Sequence, residues 1–245
     1  MSELRARVAI DGPAGAGKST VARRLAERLG YLLLDTGALY RAIALAAERR
    51  GVDWGDAERV GALARELVAR GELVVEDART ERMGGGAGPA VGGSGVRVKL
   101  GDLDVSDAIR APSMGPGASR VAAIPAVREA LIDMQRKVGA RGGVVLEGRD
   151  IGTVVLPDAE AKFFLTASPE ERARRRLDEL RARGVEAQFE ATLAEVVARD
   201  RADTERAVAP LRQAEDAVLV DSGGRSIDEV VASMAAVVEA RLCAR

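Results

Sequence analysis

The 245-residue chain contains no histidine. Imidazole bases, histidine metal ligands and phosphohistidine intermediates are therefore excluded. Asparagine is also absent, so the guanine-reading N-K-x-D segment of a GTPase switch does not exist. The one cysteine, Cys243, permits no internal disulfide and no zinc site of the usual Cys/His kind. Aromatic residues make up 2% of the chain, too few to build a base-stacking platform for single-stranded nucleic acid. Neither sign of charge is in excess: 37 Lys+Arg face 38 Asp+Glu, which argues against a general nucleic-acid partner but leaves room for a local basic cleft. No uncharged apolar run is long enough to cross a membrane. The opening MSELRARVAIDG lacks the apolar segment and small-residue cleavage site of a secretory signal, so a soluble, cytoplasmic protein is expected. Lysine is scarce, four residues against 33 arginines (37 less 4), a lopsidedness that reads as coding bias. That bias gives no reason for a lysine in a glycine-rich loop.

What is present fits one large folded domain, or a domain with insertions: 47% hydrophobic and 31% charged residues supply both a core and a surface. Short apolar runs at 4–10, 31–34, 143–147, 161–165 and 217–220 read as buried strands. Helical periodicity covers 18–29, 37–49, 56–70, 125–138, 168–183, 187–201 and 226–242. In the last of these, Ile227, Val230, Val231, Met234, Val237, Val238 and Leu242 form one apolar face. Strands alternating with helices predict an α/β fold with a parallel sheet covered on both faces. The alternating stretches 72–76 and 96–100 predict a hairpin, and 71–108 reads as a small insert. Between them, 83–95 is glycine-rich and predicts a mobile loop without chemistry.

Gly12-Pro13-Ala14-Gly15-Ala16-Gly17-Lys18-Ser19 fits G-x-x-x-x-G-K-[ST] between a predicted strand and a predicted helix. Small residues let successive backbone N–H groups turn onto an anion, and the helix amino end adds partial positive charge. Lys18 is placed to reach the outer phosphates, and Ser19 offers a hydroxyl to Mg2+. Given this composition, about 0.003 chance matches are expected in the chain. A nucleoside-triphosphate site over Gly12–Thr20 follows. The D-x-x-G match Asp221–Gly224 reads as a strand–helix turn, and no G-x-G-x-x-G for a dinucleotide is present.

Arginines gather at predicted loops and helix starts: Arg41 after Asp35-Thr36-Gly37, Arg149 beside Asp150 after Glu147, and Arg199 and Arg206 around Asp203. Most surface arginines are only solvated. Forked guanidinium groups in such positions would nevertheless suit an acceptor phosphate.

The segments GPAGAGKST, LLDTGALYRAIALAA, SRVAAIPAVREAL, EGRDIGTVVLPDA and RDRADTERAVAPL occur in order along nearly the whole chain. They resemble the bacterial cytidylate kinases, P-loop nucleoside-monophosphate kinases. The resemblance implies a five-stranded parallel sheet flanked by helices, an enlarged monophosphate-binding insert at 71–108 and a lid near 168–206. It implies ATP and CMP or dCMP as substrates, Mg2+ with the ATP, and a monomer. Thr36, where the family usually has Ser, and Arg41 then match the acceptor-binding stretch. Ser119 and Arg128 match residues at the cytosine edge. Arg149 matches the phosphate clamp, Asp150 the group near the exocyclic amine, Arg199 and Asp203 the pair near the ribose, and Arg206 a further phosphate arginine. Pro112-Ser113-Met114 and Gly115-Pro116-Gly117 depart from the family pattern and predict a late start for the helix carrying Ser119.

In this reading Lys18, Arg149 and Arg206 neutralise the transferred group. Glu147 is read two ways, as a holder of a Mg2+-bound water or as a helix or loop cap. Arg175 is the choice for stacking over adenine, although 172–176 holds four arginines that the sequence does not separate.

Overall fold

The computed structural model describes residues 5–77, 96–140 and 142–244. The glycine-rich 83–95 loop lies outside the described residues. A parallel sheet has the strand order β2-β6-β1-β7-β8, with β1 Arg7–Asp11, β2 Leu32–Asp35, β6 Val144–Gly148, β7 Ala161–Thr166 and β8 Val218–Asp221. Helices surround it: α1 Lys18–Leu29, α2 Thr36–Arg49, α3 Ala57–Ala69, α4 Met114–Ala122, α5 Pro125–Gly139, α6 Pro169–Ala182, α7 Phe189–Glu205 and α8 Ile227–Cys243. This is the α/β fold that the alternating strands and helices predict.

The chain forms two compact units, one of Met1–Tyr31 with Gly142–Arg245 and one of Leu32–Arg141. In the first, β1 is the central strand. It pairs in parallel with β6 (Ile10 opposite Glu147, Asp11 opposite Gly148) and with β7 (Ile10 opposite Phe163). Val8, Ile10, Leu146, Phe163 and Leu165 are fully buried. Such apolar runs survive only where both faces of a strand are covered. The apolar 217–220 run is different. As β8 it ends the sheet, and Leu219 is 57% exposed. In α8, Val230, Val231, Met234 and Val238 are buried, whereas Ile227 is 44% exposed because it is the first helical residue, at the end of the stripe. α1 ends at Gly30, whose left-handed backbone returns its N–H to Ala26 and Glu27.

The second unit packs α2 against α4 and α3 against α5. Leu39, Ile43, Leu63, Val121 and Leu131 belong to its core. The stretches at 72–76 and 96–100 are antiparallel strands, β3 Leu73–Asp77 and β4 Val96–Leu100, and a two-residue strand, β5 Leu103–Asp104, adds to β4. α4 does not start late: it runs from Met114 through Gly115-Pro116-Gly117. Pro116 falls in the first turn, where its missing N–H is no loss. Gly117 is needed there, since a Cβ would lie 2.9 Å from Trp54 Cζ2 and 3.0 Å from Ala44 Cβ.

Candidate active site

The phosphate loop rests on two backbone requirements. Gly12 has no room for a side chain: a Cβ would stand 2.0 Å from the Leu165 carbonyl oxygen of β7. Gly17 adopts φ 88°, a left-handed conformation that favours glycine, and from it α1 starts without a side-chain cap. The orphan N–H groups of the first turn thus stay available to an anion. Lys18, the first residue of α1, is buried and its Nζ donates to the Pro13 carbonyl at 2.7 Å. Burial, with a further push from the Arg149 charge, pulls the Lys18 ammonium down to about 7. Glu147 and Asp203 oppose the shift, and Arg199 adds to it. The loop lysine therefore stands within electrostatic reach of two of the predicted acceptor arginines.

Glu147 is the penultimate residue of the fully buried β6 strand, and its Oε2 accepts the Ser19 hydroxyl at 3.0 Å. The pair offers hard oxygen donors beside the loop, which fits Mg2+. Among the described residues no group of three or more His, Cys, Asp or Glu could cage a metal.

Past β6, Arg149 Nε donates to Asp203 Oδ2 at 2.7 Å and its NH1 to the Gly148 carbonyl at 3.2 Å. Arg206 NH2 lies 3.6 Å from Asp150 Oδ1, with both side chains nearly buried. Arg206 Nε also donates to the Ala209 carbonyl at 2.5 Å. Ala209 has φ 48°, the one non-glycine residue in the left-handed region among the described residues. The last turn of α7, with the Arg206 that follows it, thus interlocks with the residues after β6 as two Arg–Asp pairs, which brings Arg149, Asp150, Asp203 and Arg206 together.

The RARRR run divides by environment. Arg172 is buried and forks onto Asp200 at 2.8 and 2.5 Å, with further bonds to the Ala14 and Ala167 carbonyls. Arg174 stands over the Phe189 ring, 5.8 Å from its centroid. Arg176 pairs with Glu179 at the surface. Arg175 reaches the loop, donating to the Ala16 carbonyl at 3.4 Å and to the Ser222 hydroxyl and carbonyl at 3.0 and 2.9 Å. Asp221–Gly224 is the turn that the sequence suggests, with Gly223 N–H donating to Asp221 Oδ1. Ser222 then closes against the loop, its hydroxyl donating to the Ala16 carbonyl at 3.1 Å. Arg172 and Ser222 were not legible as loop supports, because they donate to the Ala14 and Ala16 carbonyls 158 and 206 residues away, and Asp200 supports the loop only through Arg172.

Thr36, Arg41, Ser119 and Arg128 lie in the second unit. Thr36 is buried and opens α2, whose N-cap Asp35 accepts the Ala38 N–H. Arg41 pairs with Asp35 at 2.6 Å, and its Nε is buried without a hydrogen-bond acceptor. Asp35, Ala38, Arg41, Ser106 and Arg110, with Val98 and Ile109, line a small pocket. Two guanidinium groups and one carboxylate give that pocket a net positive lining. Ser119 is half-buried on α4. Arg128 is buried on α5 and stands over the Tyr40 ring at 5.9 Å. Tyr40 and Arg110 were missed in the sequence; the ALYR spacing that sets Tyr40 beside Arg41 was the available signal for the first.

A family model described as cytidylate kinase matches residues 8–240. A cytidylate kinase of Geobacter sp. (strain M21) is 51% identical over 235 residues, covering 96% of this chain and 93% of its own length. One from Syntrophotalea carbinolica is 49% identical, covering 96% and 92%, and one from Pseudomonas aeruginosa is 49% identical, covering 91% of each chain. Among solved structures, a gluconokinase from Sinorhizobium meliloti 1021 aligns over 97% of this chain and 94% of its own at 15% identity, with a TM-score of 0.45 that lends the assignment no weight. A match spanning nearly the whole chain, on a phosphate loop with paired arginines beside it, places this chain in the cytidylate kinase family.

Proposed function

We propose that the chain transfers the γ-phosphoryl group of ATP to CMP or dCMP, giving ADP and CDP or dCDP. The observation that carries this reading is geometric: an uncapped helix start behind Gly12 and Gly17, headed by buried Lys18, in the same unit as the Arg149–Asp203 and Arg206–Asp150 pairs. Such a loop is built to receive phosphates. Gly12–Thr20 would hold the donor, with Lys18 on its outer phosphates and Arg175 beside its adenosine end. Ser19 and Glu147 would hold Mg2+, which would supply positive charge against the donor phosphates. Glu147 then acts through its bond to Ser19, and the cap reading is the one not needed.

The acceptor phosphate is already a competent nucleophile at neutral pH, so the missing histidine costs nothing. The chain's own work is positioning and charge neutralisation. Arg149 and Arg206 clamp the transferring and acceptor oxygens, while Asp203 and Asp150 hold them in place. Arg41, with a buried Nε lacking an acceptor, would take a further phosphate oxygen. Asp150, Ser119 and Arg128 would read the cytosine edge, Thr36 would add a hydroxyl to the acceptor, and Arg199 with Asp203 would take the ribose. The 71–108 insert would serve the monophosphate, and the charged 168–206 region would close as a lid to keep water from the donor. We place the enzyme in the cytoplasm as a monomer without nucleic-acid or membrane partners. No described helix is long and apolar enough to cross a membrane.

An ADP-release assay with ATP, Mg2+ and a panel of CMP, dCMP, UMP, AMP, GMP, dTMP and shikimate tests the reading. CMP and dCMP should give the highest turnover. ATP binding without acceptor-dependent ADP, or preference for another acceptor, would overturn it. Sedimentation should return one species of 25.7 kDa.

A further inference from the structure

Asp11 ends β1 and immediately precedes the phosphate loop, yet its carboxylate is committed to a different segment. It is almost fully buried. Oδ1 accepts the Ile151 N–H at 2.8 Å and Oδ2 accepts the Gly152 N–H at 2.7 Å. These two amides open the π-helical turn Ile151–Val155 that follows Asp150 directly. Within the turn the Asp150 carbonyl accepts the Val154 and Val155 N–H groups at 2.9 and 3.2 Å. Backbone bonds therefore fix the segment just where the Arg149 and Asp150 side chains leave it, one toward Asp203 and the other toward Arg206. Gly152 allows the approach: a Cβ there would stand 3.4 Å from Asp11 Oδ2 and 3.2 Å from Lys162 Cδ.

We propose that Asp11 is a positioning residue for acceptor recognition, fixing Arg149 and Asp150 through the Ile151 and Gly152 amides and so tying the acceptor clamp to the strand that carries the donor loop. The proposal rests on the reading of Arg149 and Asp150 given above. A carboxylate is suited to this because both its oxygens only accept, and each meets one amide. Asparagine keeps the shape but turns an NH2 toward one of the N–H donors. Burial pushes the Asp11 carboxyl up to about 6. The two amides and Lys18 pull it down and Asp150 pushes it further up, leaving it ionised at neutral pH.

Steady-state kinetics of Asp11→Asn with CMP and UMP, beside the wild type, provide the test. A mispaired buried acceptor should lower kcat/KM for CMP by about ten- to a hundredfold and narrow the CMP/UMP ratio, with the KM for ATP changed less than about threefold. Amide exchange at residues 151 and 152 should quicken. Gly152→Ala crowds the same contact from the other side and should move the same ratio by a smaller factor. A purely structural Asp11 would lower the melting temperature and scale both acceptors equally. That outcome overturns the proposal, as does a loss confined to the KM for ATP. Asp150→Ala in the same assay separates the two readings. If it narrows the ratio and neither Asp11→Asn nor Gly152→Ala does, the positioning role alone fails. If Asp150→Ala leaves the ratio intact, the reading of Asp150 fails and this role with it.

Discussion

Arg149 has two tasks at the residue scale. Its Nε bond to Asp203 fixes the guanidinium, and its charge helps lower the Lys18 ammonium. A group held in place before the substrate arrives loses little freedom in the transition state. Arg149→Ala should therefore lower kcat by about two to three orders of magnitude. The melting temperature should fall by a few degrees as well, because the nearly buried Asp203 carboxylate loses its partner. Quenched-flow kinetics with calorimetry checks both, and turnover equal to wild type would remove Arg149 from the mechanism. Asp150 should act on specificity. In the proposed reading the cytosine amine donates to its carboxylate, whereas uracil would present a carbonyl there. Such a buried mismatch costs about 1–3 kcal/mol, roughly ten- to a hundredfold or somewhat more. Asp150→Ala should narrow the CMP/UMP gap by that factor, as read from kcat/KM for each acceptor. The motif residues around these two were legible because small glycines, a lysine and arginines in fixed order have few other uses. Asp11 was not, because its partners are backbone amides 140 and 141 residues away.

Elements were read well where periodicity was long and less well where neighbours decide. α5, α6 and α8 fall within a residue or two of the stretches that their apolar spacing predicts. The glycines and proline at 115–117 look like helix breakers in isolation, but α4 runs through them. The reason is packing. Gly117 brings the helix against Trp54 and Ala44, and helix propensity is too weak to outweigh tertiary contact. Gly117→Ala places a methyl 2.9 Å from Trp54 Cζ2, closer than real contacts allow. It should gain helix propensity and still destabilise the protein by about 1–3 kcal/mol. Urea denaturation decides between the two effects, because a rise in midpoint would mean that propensity wins.

For the whole molecule, acid stability should depend on the start of the central strand. Glu160 accepts from the Arg7 backbone N–H at 2.7 Å and from its Nε and NH2 at 3.0 and 2.8 Å. Burial alone would raise the Glu160 carboxyl, but the Arg7 bonds prevail and hold it at about 2, against an ordinary value of 4.5. A depressed carboxyl stabilises the fold fully above 4.5 and loses that contribution as the pH falls toward 2. Wild type should thus lose more stability than Glu160→Gln between pH 5 and about 2.5, as read from urea midpoints across that range. Parallel acid slopes would show that the Arg7 bonds do not set the acid limit. Asp158, which also accepts from Arg7, is lowered in the same direction.

Sequence alone determined the donor chemistry and the order of strands and helices, because both rest on local patterns: glycine spacing around one lysine, and apolar runs of period two or 3.6. It also supplied the family resemblance on which the acceptor reading stands. Tertiary structure decided what each arginine of the 172–176 run touches. The four are chemically identical in sequence, and only the fold gives Arg172 an Asp200 fork with a bond to the Ala14 carbonyl, Arg174 a ring, Arg176 the surface, and Arg175 a Glu171 pair with bonds to Ser222 and the Ala16 carbonyl. It likewise decided that β8 is an edge and that Asp11 serves a segment on the far side of the sequence, since both depend on which strand lies beside which.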